Sequence, residues 1–155
     1  MDQSDDGATY AKHSRELIRF ATALVGPVGA EDLLAATMVR SIGTRRWPEI
    51  ENKRAYLYRV MWNEAARSRR STQRRLERES RLVSSNLDER DPGDSSDADV
   101  IALIARLDLR QRAVVFLTYW SDLEPSTVAS MIGVSKRTVE RELTAARRCL
   151  KEMLS

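Results

Sequence analysis

Apolar residues recur at three- and four-residue steps through most of this 155-residue chain, the spacing that puts them on one face of an α-helix. Near the N-terminus Tyr10, Leu17, Phe20, Ala21, Leu24 and Val25 share such a face, which predicts a helix over about residues 9–25. Gly26-Pro27 ends it, because proline cannot continue the hydrogen-bond ladder. A second helix over about 30–43 has Leu33, Leu34, Met38 and Ile42 as its buried stripe, with Glu31 and Asp32 in the first turn, where they complement the helix dipole. A short loop, 44–51, contains Trp47-Pro48. A long third helix follows, opened by Asn52 as N-cap and striped by Leu57, Val60, Met61 and Ala65.

After Ala66 that stripe stops while the helical composition continues. Arg67-Ser68-Arg69-Arg70-Ser71-Thr72-Gln73-Arg74-Arg75 has no apolar face to bury. A helix of this kind faces water or a polyanion. Residues 83–97 then read as a linker, for Asp91-Pro92-Gly93-Asp94-Ser95-Ser96 combines breakers, acids and small polar residues. The second half opens with a helix over about 98–107, striped by Val100, Leu103, Ile104 and Leu107. Another over about 109–120 carries Val114, Val115, Leu117 and Trp120.

The last 34 residues are the most informative. A short helix reaches Ile132, with Pro125 at its first position. Gly133 can take the left-handed conformation that stops it, Val134 can plug the angle between two helices, and Ser135 is a strong N-cap for the next. In that final helix Val139, Leu143, Ala146, Leu150 and Met153 form one buried face. Lys136, Arg137, Thr138 and Arg141 are left exposed at its start. This is the pattern of a helix-turn-helix, whose second helix presents its N-terminal residues to base edges in the major groove. Arginine and lysine can donate to guanine there, and threonine can meet a thymine methyl. A helical hairpin with a merely basic surface is the plainer alternative.

Composition narrows the function further. The six glycines and four prolines are few for a chain rich in Ala, Leu, Arg and Glu, which favours an all-α fold. The net charge of +3 hides a strong asymmetry. Residues 52–81 hold ten Lys/Arg against three Glu, whereas residues 88–99 hold six acids against one Arg. A basic block on an ordered helix points to a polyanionic partner. His13 and Cys149 are the only residues of their kinds and stand in different halves, so no metal site, disulfide or cofactor is expected. No nucleophile elbow, paired carboxylates or glycine-rich phosphate loop is present, and the chain reads as a non-enzyme. With no secretory leader and no apolar run of membrane-spanning length, membrane insertion is not expected and a cytoplasmic location is.

Together these segments resemble the extracytoplasmic-function sigma factors of the sigma-70 family over nearly the whole chain. The signals are residues 10–24, Ala30-Glu31-Asp32-Leu33-Leu34, Arg54-Ala55-Tyr56-Leu57-Tyr58-Arg59-Val60 with Asn63 and Ala65, Arg110-Gln111-Arg112-Ala113-Val114, and the helix-turn-helix with Gly133-Val134-Ser135 and Thr138-Val139. The resemblance implies two small helical domains, 8–82 and 98–155, joined by a flexible acidic linker at 83–97. It implies that Asp32, Leu33 and Leu34 dock on core RNA polymerase. Asn63, Arg67, Arg69 and Arg70, with Trp47 and Trp62 as candidate stacking rings, would engage the melted strand of the −10 element. Ser135, Lys136, Arg137, Thr138 and Arg141 would read the double-stranded −35 element. An anti-sigma factor is the expected regulator. The chain departs from the family pattern at Ala35-Ala36, where the family has Gln and an acid, at Met38, where it has an aromatic, at Arg67, where it has an acid, and at Glu140-Arg141-Glu142, where it favours Lys-Ser-Arg. Two other readings fit the same residues: a helix-turn-helix regulator acting without polymerase, and a sigma-like interaction protein without promoter activity.

Overall fold

A computed structural model describes residues 3–79, 100 and 102–154. The expected linker at 83–97 lies outside them. The described elements are helical throughout: α1 (Gln3–Val25), α2 (Pro27–Ile42), a 3₁₀ turn at Trp47–Glu49, α3 (Lys53–Glu79), α4 (Leu109–Val115) continued by a π-helical turn (Phe116–Trp120), α5 (Pro125–Ile132) and α6 (Lys136–Leu154). Among the described residues there is no strand. Among the described residues no helix is long and apolar enough to cross a membrane.

α1, α2 and α3 pack as a three-helix unit around Leu17, Phe20, Leu24, Leu34, Leu57 and Met61. Gly26 makes the α1–α2 corner in a single residue: its φ of 86° is open to glycine, and Pro27 then starts α2 with its φ already set. Asn52 caps α3 by accepting from the Ala55 N–H at 3.0 Å. A polar knot ties α3 back to α1. Arg54 Nε donates to Glu16 Oε1 at 2.8 Å, and the same carboxylate oxygen lies 3.3 Å from His13 Nδ1. The hydrogen bond to Glu16 raises the Arg54 pKa.

α1 begins at Gln3, earlier than the apolar pattern indicates. The second half also differs from expectation at one point. The apolar spacing predicts a single helix to Trp120, yet the backbone widens at Phe116, where the Ser121 N–H reaches back five residues to the Phe116 carbonyl at 3.1 Å. The wider turn keeps Phe116 and Leu117 in the core and leaves Tyr119 and Trp120 half exposed, with Trp120 stacked on Phe116 at 6.0 Å between centroids.

The helix-turn-helix forms as its sequence dictates. Gly133 sits at φ 72°, ψ 36°, and the Val134 N–H bonds to the Ala129 carbonyl at 3.0 Å, a six-residue reverse turn that closes the end of α5. Val134 packs against the core. Ser135 Oγ accepts from the Thr138 N–H at 3.1 Å and starts α6. Val139, Leu143 and Ala146 are buried beneath α6.

The two halves share one continuous core. Phe20 of α1 meets Phe116 at 5.2 Å between ring centroids, and α3 packs on α5. Arg112 joins the halves by hydrogen bonds. Its guanidinium donates to the carbonyls of Leu107 at 2.8 Å, Ala105 at 2.7 Å and, 88 residues away in sequence, Leu24 at 2.8 Å. Burial lowers the Arg112 pKa, and the charge of Arg69 on α3 adds to that effect.

Two predictions follow from these contacts. Arg112→Ala removes three charge-assisted hydrogen bonds and leaves the carbonyls at the ends of α1 and of the segment before α4 without this donor. It is expected to cost about 2–4 kcal/mol in urea denaturation, with Arg112→Lys recovering only part. A loss below about 0.5 kcal/mol would show that water replaces the guanidinium without penalty. Ser135→Ala is expected to cost about 1 kcal/mol through the lost α6 cap, read as a lower thermal midpoint.

Candidate nucleic-acid interface

The clearest surface lies at the start of α6. Ser135, Arg137, Thr138, Glu140, Arg141 and Thr144 line a shallow open cleft on the face opposite the buried stripe. Four of the five positions expected to read DNA, Ser135, Arg137, Thr138 and Arg141, line this cleft. The fifth, Lys136, stands beside it, 4.0 Å from the Glu140 carboxylate. Thr138 is half-buried and its hydroxyl is engaged with Ser135 Oγ at 2.9 Å, so it helps build the turn as well as facing outward. Arg137 and Arg141 are exposed, and neither has a hydrogen-bond or ion-pair partner among the described residues. Two guanidiniums held on a rigid, capped helix and free of protein partners can donate in pairs to phosphates or to guanine edges.

A second basic surface runs along α3. Arg59, Asn63, Arg67, Arg70 and Arg74 are all exposed, and their spacing of four, four, three and four places them along one side of the helix. One of its four arginines, Arg67, is partnered by an acid. Glu64 lies 3.6 Å from Arg67 and also pairs with Arg40 of α2. Arg69 is exposed on α3 outside this stripe, close enough to Arg112 to depress its pKa. The sequence-predicted arginines thus fall on two sides of the helix. Arg67 and Arg70 follow Asn63 along the stripe, whereas Arg69 lies on the side nearer Arg112. Arg59 joins the stripe and escaped sequence reasoning, because it sits within the apolar part of the helix.

The two tryptophans proposed as stacking rings stand elsewhere. Trp47 is 1% exposed, packed 6.2 Å from the Tyr56 ring and covered by the Lys53 ammonium at 5.4 Å. Trp62 is 9% exposed and belongs to the main core. Neither ring offers a free face to a base, so this structure corrects that assignment: both indoles serve packing. Their large apolar area is worth more buried than left in water.

On α2, Asp32 is exposed whereas Leu33 and Leu34 are buried. The residues sharing the outward face with Asp32 are Ala35, Ala36 and Val39. Val39 is 76% exposed, and Val28 at the start of the helix is 84% exposed. This face is apolar and uncovered, and it was missed because the sequence pattern directs attention to the leucines beneath it. The described residues contain no cluster of three or more His, Cys, Asp or Glu able to hold a metal ion.

Comparison with known proteins agrees with this arrangement. The model of sigma-70 region 2 matches residues 9–75, and that of sigma-70 region 4 matches residues 97–150. The chain is 35% identical over 144 residues to the RNA polymerase sigma-E factor of Streptomyces coelicolor, covering 89% of this chain and 79% of that one. The sigma-E factor of Streptomyces avermitilis is also 35% identical over 144 residues, covering 89% and 78%. In fold, the chain resembles the sigma factor RpoE solved with the anti-sigma factor NepR from Bartonella quintana. That match has a TM-score of 0.78, 22% identity, and coverage of 97% of this chain and 96% of that one. CnrH, solved with the cytosolic domain of CnrY, matches with a TM-score of 0.69 and 23% identity over 99% and 89%. Region 2 in the first half, region 4 in the second and relatives of this identity over most of both chains place the protein: it belongs to the sigma-70 family of RNA polymerase sigma factors, in the extracytoplasmic-function branch.

Proposed function

We propose that this sigma factor directs core RNA polymerase to promoters through the two basic surfaces described above. Residues 98–155 read the −35 element and residues 8–82 engage polymerase and the −10 element, with 83–97 as the link between them. The observation that carries this reading is the cleft at the start of α6, where Arg137 and Arg141 stand exposed on a capped helix of a helix-turn-helix. Ser135, Lys136 and Thr138 complete that surface. On α3, Asn63 can offer both a donor and an acceptor to an unstacked base. Arg67, Arg70 and Arg74 supply the field that draws a phosphate backbone along the helix. Arg69 contributes from the side nearer the second half.

Asp32 and the apolar face formed by Ala35, Ala36, Val39 and Val28 supply the polymerase-docking surface, with Leu33 and Leu34 holding α2 in place from beneath. A small uncovered apolar face carrying one acid is suited to a protein partner. The protein acts in the cytoplasm by binding, and the chemistry of RNA synthesis belongs to the polymerase. Two solved proteins of this fold are captured with partners, one of them named as an anti-sigma factor, and an anti-sigma factor is the regulator we assign to this chain.

Run-off transcription on a genomic promoter library, using core polymerase from the native host with and without the protein, tests the assignment. Discrete start sites that depend on the protein are expected. Sequence-specific nanomolar footprints by the protein alone would favour a regulator that works without polymerase. On the −35 side, Arg137→Ala or Arg141→Ala is expected to lose about 1–3 kcal/mol of promoter binding at particular base positions. A loss that is uniform across sequences would mark phosphate contacts instead. On the −10 side, Arg70→Ala is expected to impair open-complex formation more than Arg69→Ala, with partial rescue on a pre-melted bubble. Normal transcription with normal salt sensitivity in both variants would reduce the stripe to a solvated face.

A further inference from the structure

The cleft on α6 contains one group that does not suit a surface facing phosphates. Glu140 is exposed and lines the cleft together with Arg137, Arg141 and Thr144. The contacts it makes within the protein do not explain its presence. Its ion pair with Lys136 is long, at 4.0 Å, and both side chains are more than half exposed, so the pair adds little to stability. Glu140 is also the fifth residue of α6, past the first turn in which an acid gains from the helix dipole. Thr144 donates its hydroxyl to the Glu140 backbone carbonyl at 3.0 Å, not to the carboxylate.

A carboxylate carried into the major groove is repelled by both phosphate backbones. What the groove offers it in return is an exocyclic amino group. Cytosine presents its N4 amine there, and a glutamate accepts from it. The neighbouring charges make such a contact feasible. Lys136 stands one turn before Glu140, Arg137 three residues before it and Arg141 next to it, so three cations offset the phosphate field around one acid. We infer that Glu140 is a specificity-determining residue that selects a cytosine within the −35 element, with Lys136 steadying its carboxylate. This inference rests on the proposed reading of the −35 element by α6.

The test is initiation by the full chain in complex with core polymerase on promoters randomised across the −35 element. The unaltered protein is expected to favour cytosine at one position by about tenfold over the other bases. Glu140→Ala should flatten the preference at that position and leave the remaining positions unchanged. Glu140→Gln should turn it toward adenine, because an amide can pair with both N6 and N7 of that base. If Glu140→Ala instead raises initiation equally on all sequences and the base profile is intact, the carboxylate only repels phosphate and the inference is overturned. Arg137→Ala and Arg141→Ala, run in parallel, distinguish the role of Glu140 from that of α6 as a whole. If they alter the −35 profile while Glu140→Ala does not, the role of Glu140 alone fails. If none of the three alters it, the assignment of α6 to the −35 element fails.

Discussion

A guanidinium cannot lose its proton at physiological pH, so a half-buried arginine must be given enough acceptors to replace water. In this protein Arg112 meets that demand with three backbone carbonyls, one of which, Leu24, belongs to the last turn of α1. Helix ends carry carbonyls that their own helix cannot satisfy. One cation at the junction therefore completes the end of α1 and the end of the segment before α4 together. The Phe20–Phe116 contact beside it supplies the apolar part of the same joint. The registration of the helix-turn-helix against the three-helix unit depends on these few groups and on the packing of α3 against α5.

Stability and function divide α3 along its length. Up to Ala65 the helix is held by Leu57, Tyr58, Met61 and Trp62 in the core. Beyond it the exposed residues are mostly arginines, which repel one another along a single helix. Folding gains little from such a segment. Its Coulomb cost falls when a phosphate backbone runs alongside and displaced counterions are released. The opposite holds for the two indoles assigned to the same surface from sequence. Each removes a large apolar area from water, and Lys53 and Tyr56 of α3 pack on the Trp47 ring. Exposed charge and buried aromatics are therefore complementary parts of one unit, the arginines facing outward on a scaffold that the tryptophans stabilise.

The parts of the fold that were legible in sequence are those set by local rules. The glycine turn, the serine cap and the stripe of α6 were each marked by residue type and spacing, and each forms with the expected geometry: Gly133 is left-handed and Ser135 accepts from Thr138. The Asn52 cap and the Gly26-Pro27 corner belong to the same class. What was not legible depends on contacts between distant segments. The π turn at Phe116 shifts the helical register so that Trp120 leaves the apolar stripe, and no local propensity signals it. The burial of Trp47 under Lys53 and Tyr56, and the bond of Arg112 to Leu24, join residues whose proximity appears only after the helices pack. The exposed valines of α2 were hidden for a related reason: periodicity identifies the buried face and says little about which outward apolar residues remain uncovered.

The shared core and the two proposed DNA surfaces make opposite demands on this chain. The −35 and −10 elements are by their numbering about 25 base pairs apart, which is roughly 85 Å of duplex at about 3.4 Å per pair. A compact chain of this length has a radius of gyration near about 15 Å and a diameter of roughly 40 Å. α6 and the exposed stripe of α3 cannot reach both elements on straight duplex while Phe20 and Phe116 remain in contact. Any state that engages both elements on such a duplex has therefore parted at the joint. Parting it uncovers apolar residues that the halves bury together, Phe20 and Phe116 among them, so separation requires new contacts that offset that loss. A strong scaffold that binds both halves, as core polymerase would, is then the element that sets their spacing on the promoter.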